Sequence, residues 1–442
     1  MTWASRRSCS VRGSAGPSQA PRCRTRRPGT SIPGKWTSAN PAKPRDSITI
    51  AIVSKRKEIQ MKSIIDADTH LVESDAIWQL FDKDMWSRRP VGVAHPDPDT
   101  GRPSQRWVID GTLIPKPAGK GGQALATPPL RAEALTERAW TTKSLDDVPA
   151  RLEEMAQMGV DTQVIFPTLF IAHVTDDPKL DVALAKAYNR YVAQAWEQSH
   201  NKLRWVALLP FTDIPASIEQ MHWSQEHGAV GFIARGIEGE RSLAEPWFFP
   251  LYEEAAKAGM PMCIHTGPGC PALTNVLDIR IGGSFPGVRM LPVIGFQHLV
   301  SNRILEKFPD FKVGFLETGA SWIPYVLHYI ERDWRRKNTL DVPHLGPELF
   351  KNNRLFISCE SDEDIPYLMQ YIGEDNLVAG SDYGHHGGQV PTMDPVSFEN
   401  RLKGGDPSGD LAIFAELHHR EDISAAVVDK IVHDNPMEFY AI

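Results

Sequence analysis

Three short apolar runs in this 442-residue chain end in side chains that bind metal ions. Asp66-Ala-Asp68-Thr-His70 closes the first, His265 follows Met262-Cys263-Ile264, and Asp382 stands in Gly-Ser-Asp-Tyr-Gly-His-His. Side chains alternate along a strand, so Asp66, Asp68 and His70 are expected on one face. Two ligands spaced by two residues can reach one ion. Nitrogen and carboxylate donors suit zinc, manganese or iron(II) better than a soft copper site. Such an ion activates a water or polarises a substrate carboxylate. A single strand-end Asp is more often a cap or turn former. It is the coincidence of Asp68, His70, His265 and Asp382 at strand ends that points to one divalent ion, zinc or manganese.

Other residues could share that site. Glu317 and Glu360 also end apolar runs, and Glu317 could relay a proton if its pKa is raised. His298 lies inside a helical pattern, as a catalytic group or a packed ring. His385 and His386 follow Asp382 in a Gly-rich loop, where His385 could touch substrate. Glu73 could contact substrate or cap a helix. Arg235 could hold an anion through two N–H bonds or form a surface ion pair. Cys263 reads as an inert core thiol.

Alternating strands and helices must position these groups. The pattern predicts strands at Ser63–His70, Gln163–Pro167, Arg204–Leu209, Val230–Ala234, Met262–His265, Lys312–Glu317, Leu355–Cys359 and Leu377–Asp382. Helices are predicted between them, at about 148–158, 181–198, 215–226, 247–258, 291–307, 321–336 and 362–372. Eight strand–helix units predict an α/β fold, a (β/α)₈ TIM barrel with its chemistry at the C-terminal ends of the strands. Two insertions interrupt it, about 88–143 after strand one and 267–287 after strand five. Neither has a Walker or dinucleotide glycine spacing.

Charge divides the chain. Residues 1–60 carry thirteen Lys and Arg against Asp46 and Glu58, a balance of +11; with −7 overall, the remainder carries −18. The basic segment is expected to be a disordered extension, either non-structural or an organelle address. Residues 61–442 are expected to form the catalytic domain. Its acidity argues against nucleic-acid binding, and no apolar run is long enough for a membrane span. Five cysteines without a CxxC pair fit a reducing, cytoplasmic setting.

The motifs together resemble a known family. Asp-Ala-Asp-Thr-His at 66–70, Phe-Pro-Thr at 166–168, Ile-His-Thr at 264–266, Glu-Thr-Gly-Ala-Ser-Trp at 317–322 and Gly-Ser-Asp-Tyr at 380–383 occur in one order. In that order the chain resembles the amidohydrolase superfamily, in the branch of aminocarboxymuconate-semialdehyde decarboxylase and related aromatic-acid decarboxylases. The resemblance runs from about Lys62 to the C-terminus. It implies metal ligands at His70, His265 and Asp382. Asp68 fills a position where the family usually has His, and is expected to be a ligand or to sit just behind one. Glu317 stands where the branch often has a catalytic His, and cannot act as a cationic electrophile. The resemblance implies non-oxidative decarboxylation of an aromatic or unsaturated carboxylic acid. Hydrolysis of a carbonyl compound by an ion-activated water is the alternative. It also implies a homodimer, for which the helices after strands six and seven are candidates.

Overall fold

The computed structural model describes residues 62–96, 103–123, 125, 137–283, 285–337, 345–385 and 412–442. The basic segment 1–60 and His386 lie outside these residues. Eight parallel strands form one sheet in chain order: β1 (Ile65–Leu71), β2 (Thr162–Pro167), β3 (Leu203–Ala207), β4 (Ala229–Arg235), β5 (Met262–His265), β6 (Val313–Leu316), β7 (Leu355–Ser358) and β8 (Leu377–Val378). Helices cross between them: α1 (Val148–Met158), α2 (Pro178–Gln198), α3 (Ile214–Glu226), α4 (Phe249–Ala258), α5 (Met290–Ser301), α6 (Ile323–Arg336) and α7 (Ile365–Ile372). This is the (β/α)₈ barrel. The strands are buried almost throughout and rich in Val, Ile and Phe, as expected of a parallel sheet covered by helices.

Local chemistry sets the boundaries. Asp147, Asp177, Asp213 and Asp364 cap α1, α2, α3 and α7 by accepting backbone N–H bonds, each followed closely by Pro. Gly159 and Gly259 end α1 and α4 in the left-handed conformation. The helix expected over 291–307 is broken instead. Arg303 has φ 54°, which separates α5 from the short helix Ile304–Lys307.

The barrel closes just beyond β8, where residues 379–383 run along β1. Ala67 N donates to Ala379 O at 3.1 Å, Asp382 N to Asp68 O at 3.1 Å and His70 N to Tyr383 O at 2.6 Å. Asp382 was expected inside strand eight, but the regular strand stops at Val378. A Cβ on Gly380 would lie 2.4 Å from Asp68 Cβ, so only glycine permits this approach.

The first insertion is more ordered than a plain loop. It contains an antiparallel sheet of Val91–Pro96, Pro103–Ile109 and Thr112–Ile114, then a helix, Glu137–Lys143. The second carries short helices at Pro271–Thr274 and Ile279–Gly282, then a wide turn, Phe285–Arg289, leading into α5. The two insertions meet where Gly121 N donates to Leu277 O at 2.7 Å. No helix among the described residues is long and apolar enough to cross a membrane.

Closure predicts unequal glycine costs. Gly380→Ala should lower unfolding free energy by about 1–3 kcal/mol through overpacking against β1. Gly259→Ala, with open space around its Cβ, should cost only its left-handed strain, about 1 kcal/mol. Urea unfolding of the two variants checks this; an equal or smaller cost at Gly380 contradicts the closure.

Candidate metal centre

The strands deliver the expected donors to one point. His70 Nε2 lies 3.2 Å from His265 Nε2, 3.5 Å from Asp68 Oδ1 and 3.4 Å from Asp382 Oδ1. His265 Nε2 lies 3.4 Å from Asp68 Oδ2 and 3.2 Å from Glu317 Oε2. One ligand atom from each of Asp68, His70, His265 and Glu317 falls within 4.8 Å of the others, and the same holds for His70, Glu317, Asp382 and His385. Ligands at about 2.0–2.2 Å from a common ion are separated by no more than about 4.4 Å, so the cluster is close to coordination size.

Hydrogen bonds fix the tautomers. His70 Nδ1 is 3.0 Å from Pro167 O, and His265 Nδ1 is 2.7 Å from Thr266 O. A carbonyl only accepts, so each Nδ1 carries the proton. A neutral ring so anchored offers Nε2 as a lone pair, the usual arrangement behind a metal-ligating histidine. Two such lone pairs face one another here, among three carboxylates. Buried Asp68 Oδ1 accepts no hydrogen bond. A cation satisfies all of these atoms at once, so the residues fit a divalent ion.

The electrostatics agree. Burial, then the nearby Asp382 charge, raises the Asp68 and Glu317 carboxyls well above the usual range. Burial, then the His385 ring, pushes His70 well below its ordinary value. The protein alone thus disfavours negative charge on oxygens that a cation would stabilise. Strain also concentrates here: Glu317 and Asp382 have φ of 52° and 49°, which costs such residues about 1–3 kcal/mol each.

Asp66, expected to share a face with Asp68 and His70 but not to be a ligand, does not join the cluster. The β1–β2 register slips between Asp66 and Thr69, and such an irregularity breaks strand alternation. The Asp66 carboxylate instead accepts from Ser381 N at 2.9 Å and Ser381 Oγ at 2.5 Å. Burial raises its pKa to about 7 against those hydrogen bonds. It thereby ties β1 to the residue before Asp382. Buried Arg151 braces the same join: Nη1 donates to His70 O at 3.2 Å, and the guanidinium lies 4.0 Å from the Tyr383 ring centroid.

Three other sequence candidates are placed elsewhere. His298 Nδ1 is 2.8 Å from Ser242 Oγ, and the ring has no hydrogen bond or ion pair to the cluster among the described residues. Glu73 accepts from Thr168 N at 3.0 Å and Leu169 N at 2.8 Å, so it caps the turn after β2. Arg235 donates to Glu238 and, through Nη1, to Phe170 O and Ala172 O at 3.3 and 2.9 Å. That saturation leaves no two-bond fork for a substrate.

His385 does join the centre. Its ring stacks on His70 at 3.8 Å, and Nδ1 is 2.7 Å from Asp382 Oδ1. Thr168 Oγ1 donates to Leu71 O at 2.7 Å, so it accepts from His385 Nε2 at 2.9 Å. The Nε2 proton being fixed, Nδ1 is the nitrogen that faces Asp382. Sequence reasoning missed Arg289. It donates to Glu317 O, and its Nη2 lies 3.4 Å from Glu317 Oε1. Nothing marks Arg289 in the sequence, because it sits in an irregular insertion.

The sequence profile described as amidohydrolase matches residues 65–442. The chain belongs to the amidohydrolase family. Within that family, a 2-amino-3-carboxymuconate-6-semialdehyde decarboxylase from Dictyostelium discoideum is 25% identical over 247 residues, 54% of this chain and 66% of that protein. The chain thus matches just under two thirds of that relative's length. Among solved structures, an amidohydrolase from Mycobacterium avium subsp. paratuberculosis superposes with a TM-score of 0.64 at 18% identity, over 86% of this chain and 99% of that one. A 5-carboxyvanillate decarboxylase from Novosphingobium aromaticivorans, complexed with manganese and 4-hydroxy-3-methoxy-5-nitrobenzoic acid, gives 0.53 at 16% identity, over 70% and 85% of the two chains. These two structures share the barrel fold with this chain.

Purified protein should carry about one divalent ion per chain by elemental analysis, and His265→Ala should carry under about a tenth of that. Metal must displace protons from the raised Asp68 and Glu317 carboxyls, so affinity should weaken as pH falls from 8 to 6. Chelator competition at the two pH values measures this; equal affinity would contradict the electrostatics.

Proposed function

We propose that this amidohydrolase is a metal-dependent, non-oxidative decarboxylase of an aromatic or unsaturated carboxylic acid. The observation that carries the reading is the convergence of one donor atom from each of Asp68, His70, His265 and Glu317 within 4.8 Å of one another, with Asp382 and His385 in a second such group that shares His70 and Glu317. The Dictyostelium relative is named as a decarboxylase and supports the choice of chemistry. Asp68, His70, His265 and Asp382 would hold the ion, with Glu317 in reach as a further oxygen donor. Three carboxylates and two imidazoles make a comparatively hard donor set, which favours manganese over zinc. When bound, the ion supplies positive charge that orients an anionic substrate and withdraws electron density from it.

The reaction then needs one proton. The bond from carbon to carboxylate breaks, its electron pair stays on carbon, and CO₂ leaves. The Asp382–His385 pair is placed to fill the vacant position. Asp382, protonated from solvent and with His385 Nδ1 2.7 Å from its Oδ1, would give that proton to the carbon. Glu317 stands where the branch often has a histidine and, ionised beside the bound ion, would orient water next to the substrate. His70 and His265 would hold the ion through Nε2, their Nδ1 protons being committed to carbonyls. Hydrolysis by an ion-activated water would use the same residues and is the alternative that product analysis tests.

The reading includes a reducing, cytoplasmic setting, supported by the free buried thiols of Cys263, Cys270 and Cys359. It also includes a homodimer, for which exposed Tyr325 and Tyr329 on α6 and Tyr367 on α7 provide aromatic surface.

Asp382→Asn should lower CO₂ release by about 100-fold or more, the usual contribution of a positioned acid. Glu317→Gln should lower it less, because Asp382 and His385 remain. Assays on hydroxybenzoates and muconate-like acids in ¹⁸O water decide between the reactions. Label entering a new carboxylate, without CO₂, would overturn decarboxylation.

A further inference from the structure

The space beside the metal-binding residues is small and acidic. It has a volume of about 20 Å³ and is lined by Asp68, Glu317, Glu360 and Asp382. Ser358, Cys359, Gly380 and Arg289 complete the lining. Such a volume admits about one water. An aromatic acid enters only if part of the wall withdraws. A carboxylate entering there also meets four carboxylates, and one bound divalent ion offsets only part of their charge.

Arg289 is the one cation among those lining residues. It belongs to the second insertion, at the end of the wide turn Phe285–Arg289 and directly before α5. Wide turns of this kind recur at functional sites. Its side chain is 38% exposed, and its contacts are the backbone oxygen of Glu317 and, at 3.4 Å, Glu317 Oε1. Arg235, by contrast, is locked by Glu238 and two carbonyls. A partly exposed pair at 3.4 Å is weak and easily exchanged. A planar guanidinium also matches a carboxylate with two parallel bonds, a geometry Lys cannot reproduce.

We infer that Arg289 is the specificity residue that receives the substrate carboxylate, exchanging Glu317 Oε1 for an oxygen of the incoming acid. This rests on the reading of the site as one for carboxylic acids. A bound acid takes the guanidinium away from Glu317 Oε1. A neutral amide or ester cannot replace that carboxylate, and so leaves Arg289 on Glu317.

The test is binding to the metal-loaded full chain by calorimetry. The probes are 2,6-dihydroxybenzoate, cis,cis-muconate and 2,6-dihydroxybenzamide. Arg289→Ala should weaken binding of an acid by about 10–100-fold, the size of one charge-assisted pair. Amide binding should stay within about twofold, with metal content and melting temperature unchanged. Arg289→Lys should recover only part of the loss. Equal loss for acid and amide, no loss for the acid, or no binding of either acid to the wild type would overturn the assignment. Arg289-dependent acid binding without CO₂ release would sink the decarboxylase reading and leave this one standing. CO₂ release with an unchanged KM in Arg289→Ala would do the reverse.

Discussion

The structure turns on two imidazole nitrogens that face each other as lone pairs. His70 and His265 both commit Nδ1 to backbone carbonyls. Their Nε2 atoms meet at 3.2 Å among carboxylates. Two lone pairs at that distance repel, and burial removes the water that would separate or screen them. A cation converts that repulsion into coordination. The fold supports this arrangement at a cost, visible in the left-handed backbone of Glu317 and Asp382.

Closure of the barrel makes the meeting possible. β1 and β5 face each other across an eight-stranded barrel, so their strand-end side chains converge on its axis. Asp382 arrives from the segment that seals β8 to β1, held by Asp66, Ser381 and the glycine at 380. Arg151 presses on the same seam from behind through His70 O and Tyr383. Folding and site assembly therefore depend on one set of contacts, and damage to the seam is damage to the centre.

Much of this was legible in the sequence. Continuous apolar runs ending in Asp, His or Glu marked the strands, and β5 and α1 coincide with expectation residue for residue. Asp68, His70, His265 and Asp382 were legible because strand ends are fixed points of a barrel. Asp66 was misplaced because the slip in the β1 register leaves no mark in residue types. Glu73 and Arg235 have the chemistry of substrate contacts, yet the backbone groups that saturate them come from distant segments, and Glu238, three residues on, takes the Arg235 charge. Arg289 was invisible for the opposite reason: an irregular insertion has no period from which its direction can be read. The break at Arg303 was hidden too, since arginine is an ordinary helix former.

Anomalous diffraction from crystals grown with manganese, recorded at the manganese edge, tests the central claim most directly. The account predicts one strong peak within coordination distance of both His70 Nε2 and His265 Nε2, with carboxylate oxygens of Asp68 and Asp382 completing the shell. A map with no peak there, or with manganese bound only at surface carboxylates while the two imidazoles keep their close approach, would contradict it.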